Sequence, residues 1–114
     1  MNQHEAVAGY FQGMAELARE LAAVPAMMLD QGYSYEDFGS WWFAFKKNGW
    51  RYRLSFDGRD RLLTLESDGR AGGGAKSEWL QMASRQIAAD TPELPVAEIV
   101  KLIRELRRDE KPVA

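Results

Sequence analysis

The chain has 114 residues, 46% hydrophobic and 28% charged, with 15 basic against 17 acidic side chains and a net charge of −2. That length suits one domain with one core, residues 1–114, and the composition is globular rather than disordered. Near-balanced charge gives no global electrostatic case for nucleic acid or an acidic membrane. The absence of cysteine excludes disulfides, thiolate chemistry and Cys-ligated zinc or iron–sulfur sites. A cytoplasmic location fits this composition best. The start Met1–Glu5 has neither the basic nor the apolar region of a secretory leader. No apolar run approaches the ~18–20 residues of a membrane-spanning helix.

In chain order, His4 to Ala23 reads as a helix. Val7, Tyr10, Phe11, Met14, Leu17, Ala18 and Leu21 follow the three-to-four spacing of one apolar face, and Glu16, Arg19 and Glu20 fall on a solvated one. Gly9 and Gly13 lie inside it and read as tolerated small residues, although their spacing would also admit a neighbouring element. Pro25 ends or restarts the helix. Ala26–Leu29 reads as a short helical turn ended near Gly32. Tyr33–Asp37, with Tyr33 and Tyr35 alternating, reads as a short edge strand or a loop.

The centre predicts three strands, Phe38–Lys46, Trp50–Phe56 and Arg61–Glu66. Asn48-Gly49 between the first two is the strongest short hairpin signal. A two-residue type I′ turn there places Lys47 opposite Trp50, Phe45 opposite Tyr52, Phe43 opposite Leu54 and Trp41 opposite Phe56, so the inner pairs are apolar. The turn Asp57–Asp60 predicts a second register, with Phe56 opposite Arg61, Leu54 opposite Leu63 and Tyr52 opposite Leu65. One face stays apolar across three strands, and a one-residue slip would drive Arg51 and Arg53 into the core.

Ser67–Lys76, with Gly69 and Gly72–Gly74, reads as a flexible loop. Ser77 reads as the N-cap of a helix to about Ala89, with Trp79, Met82, Ala83, Gln86 and Ile87 on its apolar face. Pro92 and Pro95 mark a connection. A last helix runs from Pro95 to about Arg108 on the stripe Val96, Ile99, Val100, Ile103 and Leu106. Lys101, Arg104, Arg107 and Arg108 suit its C-terminal half, and acidic residues interleave with them as on a solvated face. Asp109–Ala114 reads as a frayed tail. The expected fold is therefore α+β: an antiparallel meander of three strands, or four with Tyr33–Asp37, with an N-terminal helix and two C-terminal helices packed on one face.

No catalytic, metal or nucleotide motif stands out. Asp57-Gly58-Arg59-Asp60 lacks the spacing of a calcium loop and reads as a hairpin turn. The glycines before Lys76-Ser77 lack the spacing of a phosphate loop, and the preceding strand belongs to a meander. His4, the sole histidine, has no evident partner. Glu36 and Asp37, adjacent in an extended segment, point to opposite sides. With no nucleophile–base pair, the chain reads as a non-enzyme without cofactor or metal.

The candidate site is the outer sheet face. The expected register gives rows Lys46–Arg51–Glu66, Ala44–Arg53–Thr64 and Trp42–Ser55–Leu62. Trp42 beside Leu62, with Lys46, Arg51 and Arg53 as a basic stripe, suits a protein partner, because Trp and Arg are frequent hot-spot residues. The same face could stack single-stranded nucleic acid, or a helix could cover it with Arg51 and Arg53 snorkelling at the edge. The function expected is a non-catalytic protein-binding module of adaptor, chaperone-like or immunity/inhibitor type. The alternatives are single-stranded nucleic-acid binding and a small-molecule pocket between sheet and helices. Open strand edges also admit a homodimer.

Overall fold

The computed structural model describes residues 2–68, 79–89 and 94–106. Helix α1 (Gln3–Ala22) leads into strands β1 (Met27–Ser34), β2 (Ser40–Lys47), β3 (Trp50–Asp57), β4 (Leu62–Asp68) and β5 (Trp79–Gln86), and helix α2 (Val96–Arg104) follows. The strands form one antiparallel sheet in the order β1-β2-β3-β4-β5. Both helices bury their apolar stripes on one face of it, here the inner face, against Trp41, Phe43, Phe45, Tyr52, Leu54, Phe56, Leu63 and Leu65.

α1 starts where Asn2 Oδ1 accepts the Glu5 amide at 2.8 Å, which satisfies one otherwise orphaned donor. Its buried stripe is narrow: Tyr10, Met14, Leu17 and Leu21. Phe11, expected on that stripe, is 52% exposed and meets Tyr10 edge-on. One helical step of 100° carries it off the buried seam. A Cβ at Gly13 would lie 2.6 Å from Leu94, whereas Gly9 faces open space. The close approach is thus real at one glycine and absent at the other. Tyr10 ties α1 to β1. Its hydroxyl donates to Gln31 Oε1 at 2.6 Å and its ring stacks on Tyr33. Burial, and secondarily Tyr33, push its pKa up to about 12.

The central hairpin follows the expected register at every pair, Lys47↔Trp50 through Trp41↔Phe56. Asn48 and Gly49 both take positive φ, 54° and 82°, as a type I′ turn requires. The next register differs by two residues: Phe56 faces Leu63, Leu54 faces Leu65 and Tyr52 faces Ser67. Asp57 stays extended as the last residue of β3, and its carboxylate accepts the amides of Arg59 and Asp60 at 3.0 and 3.3 Å. Arg61 then turns the chain back with φ 51°. A shift by two preserves which face each side chain occupies, so the apolar face survives.

Two segments expected to be helical are strands. Ala26–Leu29 belongs mostly to β1, which extends through the ambiguous Tyr33 and pairs with β2. Trp79–Gln86 is β5, paired with β4, so one C-terminal helix replaces the expected two. Both strands carry a register shift, between Met28 and Asp30 in β1 and around Met82 in β5, where Gln81 and Ala83 face adjacent residues of β4. Each bulge resets the in–out alternation, so neither segment shows period two. What holds them extended is the demand of β2 and β4 for backbone partners.

α2 begins after Pro95 and buries Ile99, Val100 and Ile103. Lys47, at the hairpin tip, donates from Nζ to the carbonyl oxygens of Ile103 at 2.9 Å and Leu106 at 3.2 Å. It thereby caps the helix end with a positive charge. Burial lowers its pKa. Ser67 and Asp68, expected to open the loop Ser67–Lys76, instead end β4, paired with Leu80 and Trp79 of β5. The rest of that loop, the Ser77 cap, the Pro92 turn, Arg107–Arg108 and the tail lie outside the described residues.

Candidate functional site

The outer face is what the alternation leaves over. Along β2 and β3 every second residue is exposed or half-buried: Ser40, Trp42, Ala44 and Lys46, then Arg51, Arg53, Ser55 and Asp57. Among the described residues no helix covers it, since both helices lie on the inner face. Trp42 is therefore open to solvent at 36% exposure. Its indole lies across the backbone of Gly32 in β1, directly opposite in the register, where any Cβ would collide with the ring.

Of the five candidate residues, Lys46 and Arg51 are exposed and face each other as expected. Arg53 does not stand free. The two-residue register change puts it opposite Glu66, whose Oε1 it meets from Nη2 at 2.9 Å and from Nε at 3.0 Å. Its guanidinium also lies 4.6 Å from the centre of the Trp79 ring, a cation–π distance. Glu66 thus belongs to Arg53 rather than Arg51. Leu62 is opposite Asp57 and Gln86 instead of Ser55, so it does not join Trp42. The row through Trp42 continues to Ser55 and Thr64.

Charge on this face is divided. Lys46 and Arg51 sit towards the Asn48-Gly49 turn. At the opposite end the outer positions are small, with Gly32, Ser34, Ser40 and Ser55, and they leave a groove of about 500 Å³ floored by β1, β2 and β3. Trp42 forms one side of it, and Asp37 and Asp57 also line it. Its rim is the turn between β1 and β2, where Phe38 is 62% exposed and Tyr35 is exposed beside it. Phe38 takes φ 56°, a left-handed conformation that costs a bulky residue roughly 1–2 kcal/mol.

The neighbouring turn holds that strain in place. Ser40 Oγ donates to the Asp37 carbonyl at 2.6 Å and accepts the Gly58 amide at 2.9 Å. Gly58 approaches the Phe38 carbonyl so closely that no side chain fits there. Tyr35 and Phe38 were not candidates in the sequence, and Asp37 and Asp57 were weighed there only as a carboxylate pair with Glu36 and as part of a calcium loop, respectively, not for this groove. Their signal was the run of small outer residues at one end of the sheet, which becomes visible only once Gly32 and Ser34 are known to be in a strand.

On the helix side, the crevice bordered by Leu63, Leu65, Ala83 and Leu102 holds about 30 Å³, well below the ~300–1,000 Å³ of ligand pockets. Among the described residues there is no group of three or more potential metal ligands, and no helix is long and apolar enough to cross a membrane. No family model, curated protein or solved structure matches the chain.

Proposed function

We propose that this chain is a non-catalytic protein-binding module, of adaptor, chaperone-like or immunity-inhibitor type, that docks its partner on the outer face of the sheet with Trp42 as an anchor. The observation that carries the reading is a half-open tryptophan on a face that neither helix covers, with Phe38 and Tyr35 exposed nearby. Large aromatic residues give contact area at low entropic cost and are enriched at the centres of interfaces. Lys46 and Arg51 form a polar rim at the far end. A cytoplasmic location belongs to the same reading and rests on the absence of cysteine.

Two features support a non-catalytic role. Lys47, with its lowered pKa, has its ammonium engaged by helix carbonyls, and Tyr10 is used to join α1 to β1. The division of charge favours protein over nucleic acid, because Arg53 is neutralised by Glu66 and carboxylates line the groove.

The test is capture from a lysate of the source organism by wild type and by Trp42→Ala, each with and without nuclease, after circular dichroism has matched their folds. Loss of a specific protein in the variant supports the module. Equal capture by both proteins moves the site off this face, and loss on nuclease treatment turns the reading to nucleic acid.

A further inference from the structure

The groove beside Trp42 has a chemistry of its own. Its floor is backbone and small hydroxyl side chains, one wall is an indole, and two carboxylates, Asp37 and Asp57, line it with no Lys or Arg among its described lining residues. Neither carboxylate is in an ion pair among the described residues. The Asp57 oxygen that serves its turn accepts the backbone amides of Arg59 and Asp60. A depression of about 500 Å³ holds one long side chain rather than a helix. Negative charge beside an aromatic surface selects a cation carried on an apolar stem. The rim is pre-set, because the Ser40 bridge and the close approach of Gly58 fix the turn that presents Phe38.

Resting on the protein-binding reading, we infer that the groove is the specificity pocket of the docking face and seats an arginine or lysine side chain of the partner. The charged head lies towards Asp37 and Asp57, and its stem lies along Trp42. The partner segment is therefore basic where it meets this end of the sheet. An acidic segment would meet Lys46 and Arg51 only at the other end.

The test uses three unstructured hexapeptides that differ at one central position, carrying arginine, its uncharged isostere citrulline, or glutamate. Each is titrated into ¹⁵N-labelled protein at millimolar concentration. The arginine peptide is expected to move the Trp42 indole and Gly32 amide resonances, to bind about five- to tenfold more tightly than the citrulline peptide, and to weaken as salt rises. The glutamate peptide is expected not to bind. In the double variant Asp37→Asn, Asp57→Asn, the arginine advantage disappears while resonances outside the groove stay in place. Asparagine keeps the oxygen that caps the turn after Asp57.

Equal binding of the arginine and citrulline peptides to wild type overturns the inference, and so does an arginine advantage that ignores salt. Both readouts need only the wild-type protein, so a misfolded variant does not blunt them. If Trp42→Ala loses a protein partner while the arginine peptide shows no advantage, the pocket fails and the module stands. If the arginine advantage holds while the partner binds Trp42→Ala as well as wild type, the docking face fails instead.

Discussion

The two faces of this sheet are made by the same strands and do opposite things. On the inner face every alternate residue of β2 and β3 is buried, and aromatic rings follow one another from Trp41 through Phe43 and Phe45 to Tyr52. On the outer face the intervening residues are Ser40, Ser55 and Asp57 at one end and Lys46 and Arg51 at the other, with Trp42 and Arg53 between them. Burial on one side provides stability, while exposure on the other leaves surface for contact. Substitutions on the two faces should therefore separate folding from binding.

The sharpest separation is Phe45→Ala. Phe45 has no exposed surface, and its loss should lower the unfolding free energy by about 3–5 kcal/mol in urea denaturation. Gly58→Val should cost about 2–3 kcal/mol, because the new Cβ meets the backbone carbonyl of Phe38, a neighbour that moves only with its turn. The same variant should weaken partner capture, since that turn rims the groove. Lys47→Met keeps the apolar stem but frees the carbonyls of Ile103, in α2, and Leu106, just beyond it, and should cost about 1–2 kcal/mol after relief of ammonium burial. Trp42→Ala should cost about 1 kcal/mol and yet abolish capture. A Trp42→Ala protein as unstable as Phe45→Ala would erase the contrast.

The smallest expected effect is on pH dependence. Tyr10 ionises at about 12 when folded against 10.0 otherwise. Between these values the unfolded chain binds fewer protons, so stability falls as pH rises from 10 towards 12. Lys47 acts the other way and at lower pH: its pKa is lowered from 10.5, so below 10.5 the unfolded chain binds more protons and stability rises with pH until both states have lost the proton. Tyr10→Phe should flatten the fall between pH 10 and 12, and Lys47→Met should remove the rise that ends at 10.5, in denaturation midpoints measured on both sides of that pH.

Legibility followed the same division. The central hairpin was readable because Asn48-Gly49 fixes a turn geometry and the inner residues alternate without interruption. α1 was readable because its buried stripe keeps one period and Pro25 ends it. β1 and β5 were not, because a bulge breaks each pattern, and because Trp79, Met82, Ala83 and Gln86 happen to keep helical spacing. Their extended form is imposed by neighbours distant in sequence. The register of β3 on β4 was displaced because Asp57 caps its turn from the strand end. That displacement in turn moved Glu66 to Arg53 and Leu62 away from Trp42. Of the candidate face, the outward placement of Trp42 and of the Lys46–Arg51 pair was legible, whereas the groove depended on β1 and was not.

The ammonium of Lys47 joins the most local structure in the chain to its last helix. Its partner Ile103 lies 56 positions further along, so the bond forms only after the intervening chain has closed, and such closure is entropically the slow part of assembly. The tip of the hairpin can form early, but the charge it carries waits for α2 to seat. Shielding of that NH₃⁺ from solvent exchange would then act as a clock, marking when the molecule has finished folding and, in the native state, how often its C-terminal helix lifts away.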